Sequence, residues 1–186
     1  MTQKELNQKL FDTVYDKNIG GVREVLSLGA DVNSADADGW TVLIYACANG
    51  YTDIARLLLE HGADINMINK YGDTALMQVC ANRHTDIVKL LLEHNADVNA
   101  VDKYGNTALI WAAYNGFTDI ANLLLEHGTN VNIKDNKGQT ALDILQREYP
   151  EQYRKWIEET VVKPQRKRLK NEDSAQGSIT GYEFDI

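Results

Sequence analysis

Residues 39–66, GWTVLIYACANGYTDIARLLLEHGADIN, contain two short apolar runs at helical spacing, a glycine between them and a glycine after them. Leu43, Ala46 and Cys47 form the first run, and Ile54, Ala55, Leu58 and Leu59 the second. Steps of three and four residues place each set on one helix face, so the stretch predicts a pair of short helices. The second helix is expected to begin at a capping Thr52, with Asp53 facing the positive end of its dipole. It closes at Gly62, a residue that readily takes the left-handed conformation.

Moving outward, the same string returns every 33 residues. Gly39, Gly72, Gly105 and Gly138 keep that step, as do Thr41, Thr74, Thr107 and Thr140, each followed two residues later by a leucine. GADVN from Gly29, GADIN from Gly62, NADVN from Asn95 and GTNVN from Gly128 form a second aligned block. The second-helix starts recur at Thr85-Asp86 and Thr118-Asp119, and the polar, Gly-centred segments 66–73 and 99–106 read as turns. A fixed period of this length is the signature of a stacked solenoid, in which each unit buries its apolar face only against its neighbours.

The GxTxL run, the small-residue helix and LLLEHGADIN together resemble the ankyrin repeat over about residues 4 to 160. The resemblance implies an all-α solenoid of helix-turn-helix units with protruding β-turn fingers. Five units are expected, at 4–36, 37–69, 70–102, 103–135 and 136–160, the outer two being caps, followed by a tail at 161–186. In the first cap Leu10, Val14, Val22, Val25 and Leu26 hold the core register, while Lys4, Glu5, Asn7, Gln8 and Lys9 stay polar. The chain departs from the family pattern in two places. Ile44, Met77 and Ile110 stand where the family usually has histidine, and apolar contact is expected to replace its hydrogen bond. Arg83 occupies the interhelical turn position held elsewhere by Gly50 and Gly116.

The repeat also argues against several chemistries. His61, His94 and His127 form a ladder at the repeat step, but equivalent positions in adjacent units lie roughly 8 to 10 Å apart. One metal needs its ligands within about 2.1 Å, so these histidines read as last-turn residues that suit the helix dipole. Cys47 and Cys80 are likewise one repeat apart and read as core thiols that cannot bridge. Asp36 and Asp38 form an acidic fingertip with no base or nucleophile near them in sequence. No phosphate-loop, nucleophile-elbow, HExxH or CxxC motif occurs, and the reading is a non-enzyme that needs no cofactor, metal or small-molecule substrate.

In the resembling family, the residues flanking the fingertip glycine and one exposed residue of the first helix line a concave binding face. By the 33-residue step these are Ala37, Asp38, Trp40 and Tyr45; Lys70, Tyr71, Asp73 and Gln78; Lys103, Tyr104, Asn106 and Trp111. Trp40, Tyr45, Tyr71, Tyr104 and Trp111 are expected to form a contiguous aromatic stripe with Tyr114 at its edge, rimmed by Asp38, Asp73, Lys70 and Lys103. Surface aromatics are enriched among interface hot spots, so the stripe predicts a protein partner. The structural alternative has Tyr71 and Tyr104 packing along neighbouring fingers and Trp111 partly in the core. Asn49, Asn82 and Asn115 are expected to satisfy backbone groups in the interhelical turns. Asn66 and Asn99 resemble the family's acceptors for asparaginyl hydroxylation.

The formal net charge is −8, and the 163–186 tail holds five Lys/Arg against four Asp/Glu, so the excess of carboxylates lies in the repeat body. Such a body repels nucleic acid and anionic membrane and favours a basic or mixed protein surface. A second reading uses Arg166, Lys167, Arg168 and Lys170 as a nucleic-acid arm or nuclear-import signal. No apolar run approaches the roughly 18 residues that span a bilayer, and the polar start is no secretory signal, which predicts a cytoplasmic monomer with nuclear import as the alternative. After the basic block, Tyr182, Phe184 and Ile186 alternate with acidic residues. The tail is expected to be disordered in solution unless this extended end docks on a surface of the same or a neighbouring molecule.

Overall fold

A computed structural model describes residues 1–159; the basic block, the closing alternation and the tail calls made on them lie outside the described residues. The described chain folds into ten helices arranged as successive pairs. The pairs are α1 (Gln3–Tyr15) with α2 (Ile19–Ser27), α3 (Val42–Ala48) with α4 (Thr52–Glu60), and α5 (Ala75–Asn82) with α6 (Thr85–Glu93). The fourth and fifth pairs are α7 (Ala108–Tyr114) with α8 (Thr118–Glu126), and α9 (Ala141–Glu148) with α10 (Pro150–Ile157). First helices pack in series, α1 on α3, α3 on α5, α5 on α7 and α7 on α9, and second helices form a parallel layer from α2 to α10.

One continuous apolar core runs between the two layers and includes Leu43, Ala46 and Cys47 with their equivalents Leu76, Val79 and Cys80. Ile44, Met77 and Ile110 are each only 1% exposed, so apolar packing occupies the place of the family's histidine. Both cysteines are free and buried, and burial drives their thiols far above the ordinary range, which disfavours the reactive thiolate. The first cap seals the core with Leu6, Leu10, Phe11 and Val14, and the last does so with Ile144, Leu145 and Trp156.

Helix capping differs from the sequence expectation. Thr41, Thr74, Thr107 and Thr140 are N-caps of the first helices, each hydroxyl accepting from the amide three residues on. The second helices are preceded by Tyr51, His84 and Phe117, and these starts carry no side-chain cap bond. Thr52, Thr85 and Thr118 are instead the first helical residues, because the tight turn at Gly50, Arg83 and Gly116 brings the chain into helical register one residue sooner. Asp53, Asp86 and Asp119 still fall in the first turn, where the dipole favours a carboxylate.

The closing residues behave as expected. Gly62, Asn95 and Gly128 all have positive φ, between 59° and 81°. The histidine before each turns its Nδ1 onto the carbonyl of the preceding helical turn, with His61, His94 and His127 at 2.8, 2.9 and 2.8 Å from Leu57, Leu90 and Leu123. Asn49, Asn82 and Asn115 donate their amide nitrogens to the carbonyls four residues back.

Candidate protein-binding face

Each finger is a turn organised by one Asx side chain. Asp36 Oδ1 accepts from the amides of Asp38 and Trp40 at 2.8 and 2.9 Å. Asn69 accepts from Tyr71 and Asp73, Asp102 from Tyr104 and Asn106, and Asp135 from Lys137 and Gln139. The fingers are also joined to one another. The Lys70 amide donates to the Asp38 carbonyl at 2.8 Å, Lys103 to Tyr71 at 2.9 Å, and Asn136 to Tyr104 at 2.8 Å. Gly72 has φ 84°, and a Cβ placed on it would lie 3.1 Å from Asp102 Cα, so any other residue would be strained in backbone and crowded against the next finger.

A second ladder lies behind the fingers. Asn33, Asn66 and Asn99 each accept from an amide of the next unit, Asp64, Asp97 and Asn130, at 2.7, 2.9 and 2.8 Å. Asn66 and Asn99, singled out in the sequence as modification acceptors, thus have a structural task in joining repeats.

The expected stripe resolves into three groups rather than one. Tyr71 and Tyr104 are 42% and 60% exposed on neighbouring fingers, beside Ile68 at 57% and Val101 at 50%. These four side chains make two adjacent fingers apolar at the solvent boundary. Tyr45 belongs to a separate cluster, meeting Tyr15 edge-on at 4.3 Å between centroids, with Phe11 and Tyr51 beyond. This cluster borders an open groove of about 480 Å³ between α1 and the first finger, lined by Phe11, Tyr15, Ser34 and Asp36 among others. Burial first, then the charge of Asp36, raises the Tyr15 phenol above its usual value. Tyr15 escaped sequence reasoning because it lies in the atypical first unit, where the 33-residue step has no partner for it.

Trp111 and Tyr114 form the third group, 6.4 Å apart and partly buried against the core. Trp111 Nε1 donates to Asp102 Oδ2 at 3.2 Å, and the Tyr114 hydroxyl donates to Asp135 Oδ2 at 2.6 Å. Both rings therefore brace fingers from behind, the structural alternative for Trp111. Trp40 is half-buried and packs on the core.

Asp73 departs from its expected place on the charged rim. It is 9% exposed and its Oδ2 accepts from Asn69 and Gln78, both at 3.0 Å, so it stiffens the second finger from within. The same inward turn places Asn106 and Gln78 in finger bracing. Asp38, Lys70 and Lys103 do reach solvent. Lys70 Nζ lies 2.7 Å from Asp38 Oδ1 and 5.0 Å from the Tyr71 ring centroid. Its hydrogen bond to Asp38 raises the lysine above its ordinary value.

A family model for ankyrin repeats matches this chain in three overlapping copies, over residues 10–102, 58–135 and 98–147. The chain belongs to the ankyrin-repeat family. Among curated proteins, this ankyrin-repeat chain is 42% identical over 51 residues to mouse protein phosphatase 1 regulatory subunit 27, covering 27% of this chain and 33% of that protein. It is 41% identical over 59 residues to ankyrin repeat domain-containing protein 49 of Drosophila melanogaster, covering 31% and 27% of the two chains. Acyl-CoA-binding domain-containing protein 6 of Xenopus tropicalis is 43% identical over 59 residues, covering 31% and 21%. Each match spans a third or less of the relative, so the likeness is to a stretch of repeats. Ankyrin repeats mediate contact between proteins, and in this chain large apolar side chains are exposed on the fingers at Ile68, Tyr71, Val101 and Tyr104 and also at Tyr15, Ile19 and Leu28.

Proposed function

We propose that this ankyrin-repeat protein is a non-catalytic interaction module, an adaptor or an occluding inhibitor, that holds a protein partner along its fingers. The observation that carries the reading is the exposure of Tyr71, Tyr104, Ile68 and Val101 on two fingers tied by the Lys103 amide to the Tyr71 carbonyl. Large side chains left at the solvent boundary of a rigid frame bury area on docking with little loss of conformational freedom. Asp38, Lys70 and Lys103 supply the polar rim, and Trp40, Tyr45, Trp111 and Tyr114 support the frame from the core side. A likeness to a protein named as a phosphatase regulatory subunit supports action through binding another protein rather than through chemistry.

The test compares proteins captured by the intact chain with those captured by a Tyr71→Ser, Tyr104→Ser variant, with Arg56→Ala on α4 as control. Circular dichroism verifies that each folds. Specific partners should be lost with the double variant and kept by the control. Retention by the double variant would move the binding site off the fingers.

A further inference from the structure

The finger ladder has an open end. Each later finger donates one amide to the finger before it, from Lys70 to Asp38, Lys103 to Tyr71 and Asn136 to Tyr104. The aligned donor on the first finger is Ala37, and among the described residues its amide makes no hydrogen bond and the residue is exposed. On that side stands α1, whose start is closed by a capping box between Thr2 and Glu5. The open groove of about 480 Å³ lies between α1 and this finger. Gln3, Asn7, Phe11 and Tyr15, spaced four apart, run along its helical wall, and Ser34 and Asp36 line the other.

The Tyr15 end of the groove has the chemistry of a cation site. Among the described residues four rings already carry a cation: Tyr51 has Lys17 at 5.2 Å, Tyr71 has Lys70 at 5.0 Å, Phe117 has Arg83 at 5.2 Å and Tyr114 has Lys137 at 5.7 Å. The Tyr15 ring, 42% exposed and edge-on to Tyr45, carries none. Burial first, then Asp36 ahead of Tyr45 and Asp12, raises its phenol, so two carboxylates act on this ring.

Asp36 forms no ion pair among the described residues, whereas Asp38 holds Lys70 at 2.7 Å. Its Oδ1 accepts the Asp38 and Trp40 amides, and no described hydrogen bond engages Oδ2. Lys4 lines the same groove, but a rise of about 1.5 Å per residue puts it about 16 Å from Tyr15 along α1. The Ser34 hydroxyl beside Asp36 is buried and has no hydrogen-bond partner.

A guanidinium suits this set better than an ammonium. Its plane stacks on a tyrosine while its edge donates to a carboxylate, and it is the more weakly hydrated of the two cations. The backbone that bears it also brings a carbonyl, the group that the preceding finger supplies at every later step of the ladder.

We propose that this groove binds an arginine side chain presented by a partner protein. The guanidinium stacks on Tyr15 and donates to Asp36 Oδ2, and a carbonyl of the same segment accepts from the Ala37 amide. The site lies on α1 and the first finger, whereas Tyr71 and Tyr104 stand on the second and third, so it is a separate contact on the same module.

The full-length chain is titrated, in ¹H–¹⁵N correlation spectra at fixed salt, with the peptide acetyl-Gly-Ser-Arg-Ser-Gly-amide and with its neutral citrulline counterpart. The arginine peptide should shift amides 11–15 and 34–38 saturably, and citrulline should weaken binding about tenfold. Asp36→Asn should weaken the arginine peptide similarly while keeping the finger, because Asn69 organises the second finger through the same two amide bonds. Tyr71→Ser with Tyr104→Ser should leave the titration unchanged. Absence of saturable groove shifts below about 20 mM peptide, equal binding of the citrulline peptide, or full binding by Asp36→Asn would each overturn the proposal. So would groove shifts produced by raising the protein concentration alone, which would give the site to a second copy. Since the double finger variant keeps this groove intact, the titration and the capture experiment fail independently.

Discussion

Arg83 holds a left-handed backbone conformation, φ 60°, and its guanidinium carbon lies 5.2 Å from the centre of the Phe117 ring in the next unit. The same turn position is Gly50 facing His84, and Gly116 facing Tyr149, in the units before and after. A non-glycine residue there costs roughly 1 to 2 kcal/mol of backbone strain. The cation–π contact and an exposed ion pair with Asp119 at 3.5 Å offset that cost. Arg83→Ala keeps the strain and loses both contacts, so it should lower stability by about 1 kcal/mol. Arg83→Gly loses the contacts but releases the strain, and should stay within about 0.5 kcal/mol of the parent. Urea denaturation of the two variants checks the order; an alanine variant as stable as the glycine one would show that the left-handed strain contributes nothing, and one as stable as the parent that the contacts to Phe117 and Asp119 contribute nothing.

Thr129 is 8% exposed and its hydroxyl has no hydrogen-bond partner. The aligned units carry Ala30, Ala63 and Ala96 at this position. An unpaired buried hydroxyl costs roughly 1 to 3 kcal/mol, so Thr129→Ala should stabilise the protein by about 1 kcal/mol. Thermal melting should then rise by about 2 to 4 °C, and a fall would show that the hydroxyl is satisfied.

Asn99 Oδ1 accepts from the Asn130 amide across the unit boundary at 2.8 Å. Asn99→Ala should cost about 1 kcal/mol and speed amide exchange at residues 129–132 more than at 62–66. Uniform change along the chain would contradict a local link between units.

Tyr114 and Asp135 share one hydrogen bond, and their shifts have opposite signs. Burial, followed by the bond to Asp135, pushes the Tyr114 phenol up to about 12. Its contribution is complete below the unfolded value near 10 and declines as pH rises from there to about 12. For Asp135, burial opposes ionisation, but the bonds from Tyr114 and the Gln139 and Lys137 amides outweigh it and lower the carboxyl. That contribution is present above the unfolded value and is lost as pH falls through the lowered one. Tyr114→Phe should lose stability at neutral pH and show a shallower decline between pH 10 and 12. Equal alkaline slopes for the two proteins would exclude the bond as the source.

The repeat made most of the fold legible, because four aligned copies exposed which positions must be glycine, apolar or polar. Helix pairs, turn closures and core cysteines follow from that alignment. Capping did not, since Thr41 and Thr52 are both threonines before apolar runs and only the tightness of the Gly50 turn decides which hydroxyl caps. The aromatic face was legible by position but not by direction. Trp111 finds a carboxylate in Asp102 and turns to it, while the Tyr104 ring remains 60% exposed. Asp73 misled because a finger's charge is read as outward until its partners Asn69 and Gln78 are placed.

The finger-to-finger bonds of Asp38 with Lys70, Tyr71 with Lys103 and Tyr104 with Asn136 set a fixed pitch along one edge of the stack. That edge works as a graduated ruler. A ligand whose contact groups match the graduations engages several fingers at once, whereas one with a different spacing must stretch the ladder or forgo marks. Discrimination by such a surface lies in distance as much as in chemistry, and inserting one further unit would lengthen the scale without recalibrating it.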